Sequence, residues 1–181
     1  DKGMHPNEQD TDTLLISNPV EGDIDFTILI TSVKDKKGDG IKSIAGSYLE
    51  CNQTEFNSGE PFNWSFILYN GSDDNEWLQN LSLQTPEGVV VESASNFTCG
   101  IGGALEFNGS FGNGALLNWY GEDASGWGMV HGGEYAYGSF SGSIEAGFAE
   151  DAVLDYVITG DIYGSEPHVI EGEITLINLG G

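Results

Sequence analysis

The chain has 181 residues and a formal net charge of -24; it carries 29 Asp and Glu against five Lys and no Arg. From Ser43 onward there is no Lys or Arg but there are twenty acidic residues. Nucleic acid and anionic membrane faces are therefore excluded as partners, because both are held through Lys and Arg. Disorder is excluded too, since 39% hydrophobic and 11% aromatic residues supply enough apolar surface to offset chain entropy, and no apolar run approaches the roughly eighteen residues of a membrane span.

In chain order, residues 1–12 contain Met4 as their one sizeable apolar side chain and read as a polar leader. Residues 13–17, with Leu14, Leu15 and Ile16, read as a short strand closed by Asn18-Pro19. Residues 1–20 thus form an N-terminal extended arm, which has two readings. Either the strand begins the chain's own sheet, or it adds to a neighbouring copy's sheet as a donor strand and builds a filament. A start at Asp1 rather than Met fits removal of a signal peptide, hence an exported protein. Residues 23–33 form the next strand. The stretch from Asp35 to Gly40 that follows fails as a calcium loop, because Lys37 takes the third position and no Glu stands at the twelfth.

Further strands are expected at 61–69, 78–84, 89–93, 115–120, 127–130, 135–144, 152–159 and 169–177, separated by Gly, Asn, Asp and Ser clusters. No window shows a sustained helical period. So many short strands predict an all-β, two-sheet antiparallel sandwich, immunoglobulin-like or jelly-roll, over residues 21–181.

Several residues are candidates for a site. Cys51 and Cys99 are an even pair, as in an exported chain with a disulfide, which would stabilise by about 4 kcal/mol; the alternative is two buried free thiols. Asn52, Asn63, Asn70, Asn80, Asn96 and Asn108 each open an Asn-x-Ser/Thr sequon, where composition alone predicts about two. Five of them, Asn52, Asn70, Asn80, Asn96 and Asn108, are taken as glycosylation sites; Asn63, inside an apolar strand, suits a glycan least. Asp73, Asp74 and Glu76 crowd oxygen ligands into one loop and are a candidate Ca²⁺ site, the one cofactor expected. Trp119, Tyr120 and Trp127, with Tyr135 and Tyr137 nearby, are candidates for a stacking platform for sugar rings. Catalysis is not expected: His5, His131 and His168 have no ligand spacing, and there is no Gly-x-Ser-x-Gly elbow.

Cys51, Trp64 and Phe97-x-Cys99 resemble the Cys, core Trp and aromatic-x-Cys skeleton of immunoglobulin-like sandwiches. The run holding Asp74-Asn75-Glu76-Trp77-Leu78, Pro86-Glu87-Gly88-Val89, Trp119-Tyr120-Gly121-Glu122, Gly126-Trp127-Gly128 and the segment from Gly160 to His168 resembles immunoglobulin-like accessory modules of secreted and surface proteins of Bacteroidota-type bacteria. That resemblance implies a non-catalytic β-sandwich that spaces, attaches or binds.

The expectation is an extracellular, cell-surface structural or adhesive protein, assembling through the arm at Leu14, Leu15 and Ile16. The alternative is a carbohydrate-binding module working through Trp119, Tyr120 and Trp127. Its partners would be copies of itself, other surface proteins or glycans.

Overall fold

The structure is a computed structural model and describes residues 43–73 and 76–180. The arm over residues 1–20, its assembly residues Leu14, Leu15 and Ile16, and the strands expected at 13–17 and 23–33 lie outside the described residues.

All regular structure among the described residues is β. The first sheet is built on β3 (Pro61–Tyr69), flanked on one side by β1 (Tyr48–Cys51) and on the other by β10 (Tyr135–Ile144). Beyond β10 its neighbours are β5 (Val89–Ala94) and β6 (Phe97–Thr98), and β5 also pairs with β8 (Gly112–Asn113). The second sheet runs β7 (Ala104–Phe107), β9 (Leu116–Tyr120), β4 (Leu78–Gln84), β11 (Ala152–Gly160) and β12 (Val169–Asn178). Pairing of β6 with β7 joins the sheets, and β2 (Glu55–Phe56) lies parallel to the end of β12. Every other pairing is antiparallel, so the body is a two-sheet sandwich whose sheets curl into one another at a corner.

Period-two alternation explains the long strands. On β3, Trp64, Phe66 and Leu68 are buried while Asn63, Ser65, Ile67 and Tyr69 alternate with them. Their rings meet Phe140 of β10: Phe66 stacks on it at 5.0 Å between ring centroids, and Trp64 meets it edge-on at 5.7 Å. Leu81 and Leu83 of β4, Leu117 and Trp119 of β9, and Leu154 and Ile158 of β11 close the core from the second sheet. Where β5 shifts register against β10, between Ser141 and Gly142, the strands approach so closely that a Cβ on Gly142 would lie 1.9 Å from the Val90 carbonyl oxygen. Only glycine fits there.

Two expectations are corrected by the fold. Residues 127–130 form no strand. Asp123 folds this segment into a turn by accepting from the Ser125 and Trp127 amides, at 2.8 and 3.0 Å, and only the isolated bridges Glu122 to Gly128 and Leu78 to Val130 remain. Cys51 and Cys99 are free thiols rather than a disulfide. Cys51 is on β1 and Cys99 follows β6; β3 and β10 lie between those strands, three spacings or about 14 Å, whereas a disulfide needs Cα atoms within about 7 Å. Cys51 Sγ instead donates to Gln53 Oε1 at 3.6 Å, and Cys99 Sγ to the Met129 and Gly103 carbonyls at 3.2 and 3.4 Å.

Burial pushes both thiols above their ordinary range, and the Glu134 carboxylate adds to this at Cys99. Both should therefore react slowly with a thiol reagent at pH 7, Cys51 only as the chain unfolds, and reductant should leave the unfolding midpoint unchanged. The unfolded thiols ionise first, so stability should decline as pH rises above the ordinary value of 9.0. A mass two units below that of the dithiol form would contradict this.

Candidate binding faces

Of the aromatic residues expected to form a sugar platform, Trp119 is in the core at 0% exposure. Its indole Nε1 donates to the Ser95 carbonyl at 2.8 Å, and its ring meets Phe97 and Phe107 edge-on at 5.1 and 5.4 Å. The reason is parity: β9 pairs Trp119 with Leu81 and Leu117 with Leu83, both inward-facing on β4, which sends Tyr120 outward. Tyr120 is occupied by Glu122, to whose Oε2 its hydroxyl donates, and that hydrogen bond holds its phenol above the ordinary range. Trp127 is 37% exposed and meets Tyr163 edge-on at 4.9 Å. The three residues thus do not form one platform.

The acidic loop also divides. Asp73 is exposed, whereas Glu76 is fully buried and its Oε1 lies 2.8 Å from His168 Nδ1, joining the approach to β4 to the start of β12. Asp74 lies outside the described residues, and among the described residues no three His, Cys, Asp or Glu groups are placed to hold a metal ion.

The sequons differ just as sharply. Asn52, Asn63, Asn96 and Asn108 are exposed, and at Asn96 and Asn108 the side-chain hydrogen bond falls on the carbonyl oxygen, accepting from the Phe107 amide and the Asn118 side chain. Asn80 is half-buried, with Nδ2 bonded to Asn118 Oδ1 at 3.1 Å. Asn70 is corrected outright: it is 0% exposed, and its Nδ2, the atom a glycan would occupy, donates to the Glu76 and Val130 carbonyls at 2.9 and 2.8 Å. Its Oδ1 accepts from the Ser72 amide at 2.9 Å and from Ser47 Oγ at 3.4 Å. A single buried amide thus ties together the chain before β1, the turn after β3, the approach to β4 and the loop before β10.

A different face brings residues together that the linear pattern kept apart. Register places Tyr48 of β1, Tyr69 of β3 and Tyr135 of β10 in one row across the outer surface of the first sheet. Their ring centroids are 5.3 and 4.7 Å apart with planes tilted by 39° and 34°. Burial, then the neighbouring Tyr135 phenol, pushes Tyr48 above its ordinary range. In the next row Ile67 sits between Glu50 and Tyr137, and Tyr137, at 56%, is the most exposed of the four tyrosines. Beyond them the face becomes a field of hydroxyls: Ser65 pairs with Ser139, Ser93 Oγ lies 2.7 Å from Ser141 Oγ, and Ser139 Oγ lies 3.3 Å from Ser95 Oγ. Glu50 is the one charged outward residue on β1, β3 and β10.

The second sheet presents the opposite chemistry. Asp155 of β11 stands directly across from Glu173 of β12, and Glu171 is two residues along the same strand. Like charges facing across strands are destabilising. Glu173→Lys should therefore raise the unfolding free energy by about 0.5–1 kcal/mol, an increment that shrinks in high salt; a loss of stability in urea titration would contradict this. β12 also has an open edge among the described residues, since it pairs with β11 along Val169 to Leu176 and β2 reaches only Ile177 and Asn178 on the other side.

Fold and faces together define a two-sheet β-sandwich in which β1, β3 and β10 present a tyrosine-rich surface with one carboxylate, and β11 and β12 present a cluster of carboxylates. No family model and no curated protein matches the chain. Among solved structures it is similar to the sixth cohesin of Acetivibrio cellulolyticus scaffoldin B, solved in complex with a dockerin, at 13% identity over 72% of this chain and 99% of that one, with a TM-score of 0.46. It is also similar to an uncharacterised Nocardia farcinica protein with an immunoglobulin-like fold, at 14% identity over 72% and 97%, TM-score 0.46. A third, AvmM, which catalyses macrocyclisation in alchivemycin A biosynthesis, matches at 11% identity over 75% and 90%, TM-score 0.41.

Proposed function

We propose that this chain is a non-catalytic, extracellular structural and adhesive module that attaches through the outer face of its first sheet. The observation that carries this is the contrast in charge. In a chain of formal net charge -24, the outward residues of β1, β3 and β10 hold one carboxylate and four tyrosines. A face that must give up water to make a contact is depleted of charge and rich in aromatics; a face that only keeps the protein soluble is not.

The test compares beads coated with wild-type chain against beads coated with a Tyr69→Ser, Tyr137→Ser variant. Three surfaces are offered: immobilised polysaccharide, immobilised extracellular-matrix protein, and the wild-type chain itself. Adherence to at least one surface should fall about tenfold or more with the fold retained. Equal adherence of both coatings on all three would contradict the proposal.

A second reading, self-assembly into a surface filament, is favoured by the edge of β12, which among the described residues has no paired strand along Val169 to Leu176 on the side away from β11 and so suits an added strand. Residues 13–17 of another copy would supply it, with Leu14, Leu15 and Ile16 making the apolar contacts. Glu171 and Glu173 on that strand then require cations, or the lysines from Lys34 to Lys42, to limit repulsion between acidic bodies. Deleting residues 1–20 should abolish any oligomer, and low salt should weaken it; an oligomeric state unchanged by the deletion would contradict this reading.

A further inference from the structure

We infer that the tyrosine face binds a neutral polysaccharide, an inference that rests on the attachment reading above and names its ligand. Three features of the face select this class. The first is the row Tyr48, Tyr69, Tyr135, continuous across three strands and so about 10 Å long, with Tyr137 extending it along β10. Sugar rings have apolar C–H faces that stack on aromatic rings, and a row of this length accommodates more than one ring of a chain. The second is the adjoining hydroxyl field. Serine hydroxyls both donate and accept, as sugar hydroxyls require, and Ser139, Ser141 and Ser65 lie on the same strands as the tyrosines.

The third feature is charge, which decides among ligands. No Lys or Arg occurs from Ser43 onward, so carboxylated or sulfated glycans meet repulsion and no counter-charge on the described body. A basic protein would be drawn to the body generally, but most strongly to Asp155, Glu171 and Glu173 on the second sheet, not to the face where Glu50 is the sole charged group on β1, β3 and β10. A neutral, hydroxyl-rich polymer is what remains. The face is an open sheet surface, so it suits the side of an extended chain over a chain end.

Retention of the full chain on immobilised neutral glycans (a β-glucan, a xylan and a mannan) is compared with retention on polygalacturonate and alginate, at low and at 0.5 M salt. At least one neutral glycan should retain the chain equally at both salt concentrations, and neither acidic one should. Tyr137→Ser and Tyr69→Ser should each weaken retention about tenfold or more, whereas Trp127→Ala, away from this face, should hold wild-type retention. Thermal midpoints of all variants confirm that each is folded, and Tyr137→Ser, which repeats the residue type of its neighbours on β10, is the variant least open to misfolding. Absence of retention on every neutral glycan, or retention indifferent to the tyrosines, would overturn the inference. If Tyr69→Ser and Tyr137→Ser instead abolish adherence to matrix protein or to the chain itself, the glycan is wrong and the attachment face stands; if they alter adherence to nothing, both fall.

Discussion

Replacing Asn70 with alanine should lower the unfolding free energy by about 3–5 kcal/mol, because it strips partners from several buried groups at once. The Glu76 and Val130 carbonyls lose the Nδ2 donor, the Val130 carbonyl keeping the Leu78 amide at 2.9 Å, and the Ser72 amide loses its bond to Oδ1. Each buried polar group left unmet costs about 1–3 kcal/mol, against a total stability of about 5–15 kcal/mol for a domain. Asn70→Asp should be no milder: it keeps the acceptor for Ser72 but turns the donor toward two carbonyls into a buried carboxylate. Urea titration checks this through a lowered midpoint at unchanged slope. A loss below about 1 kcal/mol would mean that the four segments meeting at Asn70 are held by other contacts. The same residue gives a chemical readout, since material made in a glycosylating host should carry no sugar on Asn70 even though its sequon is intact.

Trp119→Ala should cost about 3–5 kcal/mol. The side chain is among the largest fully buried ones, packs against Phe97 and Phe107, and satisfies the Ser95 carbonyl through its indole nitrogen. Truncation leaves a cavity and removes the indole donor from the Ser95 carbonyl. Trp127→Ala, at an exposed position beside Tyr163, should cost under about 1 kcal/mol. Unfolding curves of the two variants, compared with wild type, separate a core tryptophan from a surface one directly. If the two losses were equal, the inward parity of β9 would be wrong.

The strands that were legible in the sequence are those long enough to show their period. β3, β4 and β10 begin and end where the pattern of 61–69, 78–84 and 135–144 puts them. β1, β2, β6, β7 and β8 are four residues or shorter; a stretch such as Ala104–Phe107 is too brief for alternation to stand out, and pairing with longer neighbours is what makes it a strand. Parity at β9 was illegible for a related reason. Leu116, Leu117, Trp119 and Tyr120 include apolar residues on both faces, and only the register against Leu81 and Leu83 decides that Leu117 and Trp119 turn inward.

Sites followed the same rule. A sequon is a local pattern that carries no information on burial, so Asn70 and Asn96 look alike until the fold encloses one of them. The two cysteines suited a disulfide by count, but the strands between them are a property of the topology. Tyr135 and Tyr137 were visible as candidate sugar-stacking residues, while Tyr48 and Tyr69, on strands distant in the chain, join them only through the pairing of β1, β3 and β10. The one signal that could have found the row is the spacing of charge: β3 and β10 carry no Asp or Glu in a chain where acidic residues are otherwise frequent.

The most direct test of the attachment face is hydroxyl-radical footprinting of the full chain, free and held on the surface to which it adheres, with oxidation of each aromatic residue read by mass spectrometry. Tyr48, Tyr69, Tyr135 and Tyr137 should be protected on attachment, while Tyr120, Trp127 and Tyr163 keep the oxidation of the free chain. Protection centred on Trp127 and Tyr163, with the four tyrosines of the first sheet unchanged, would contradict the account.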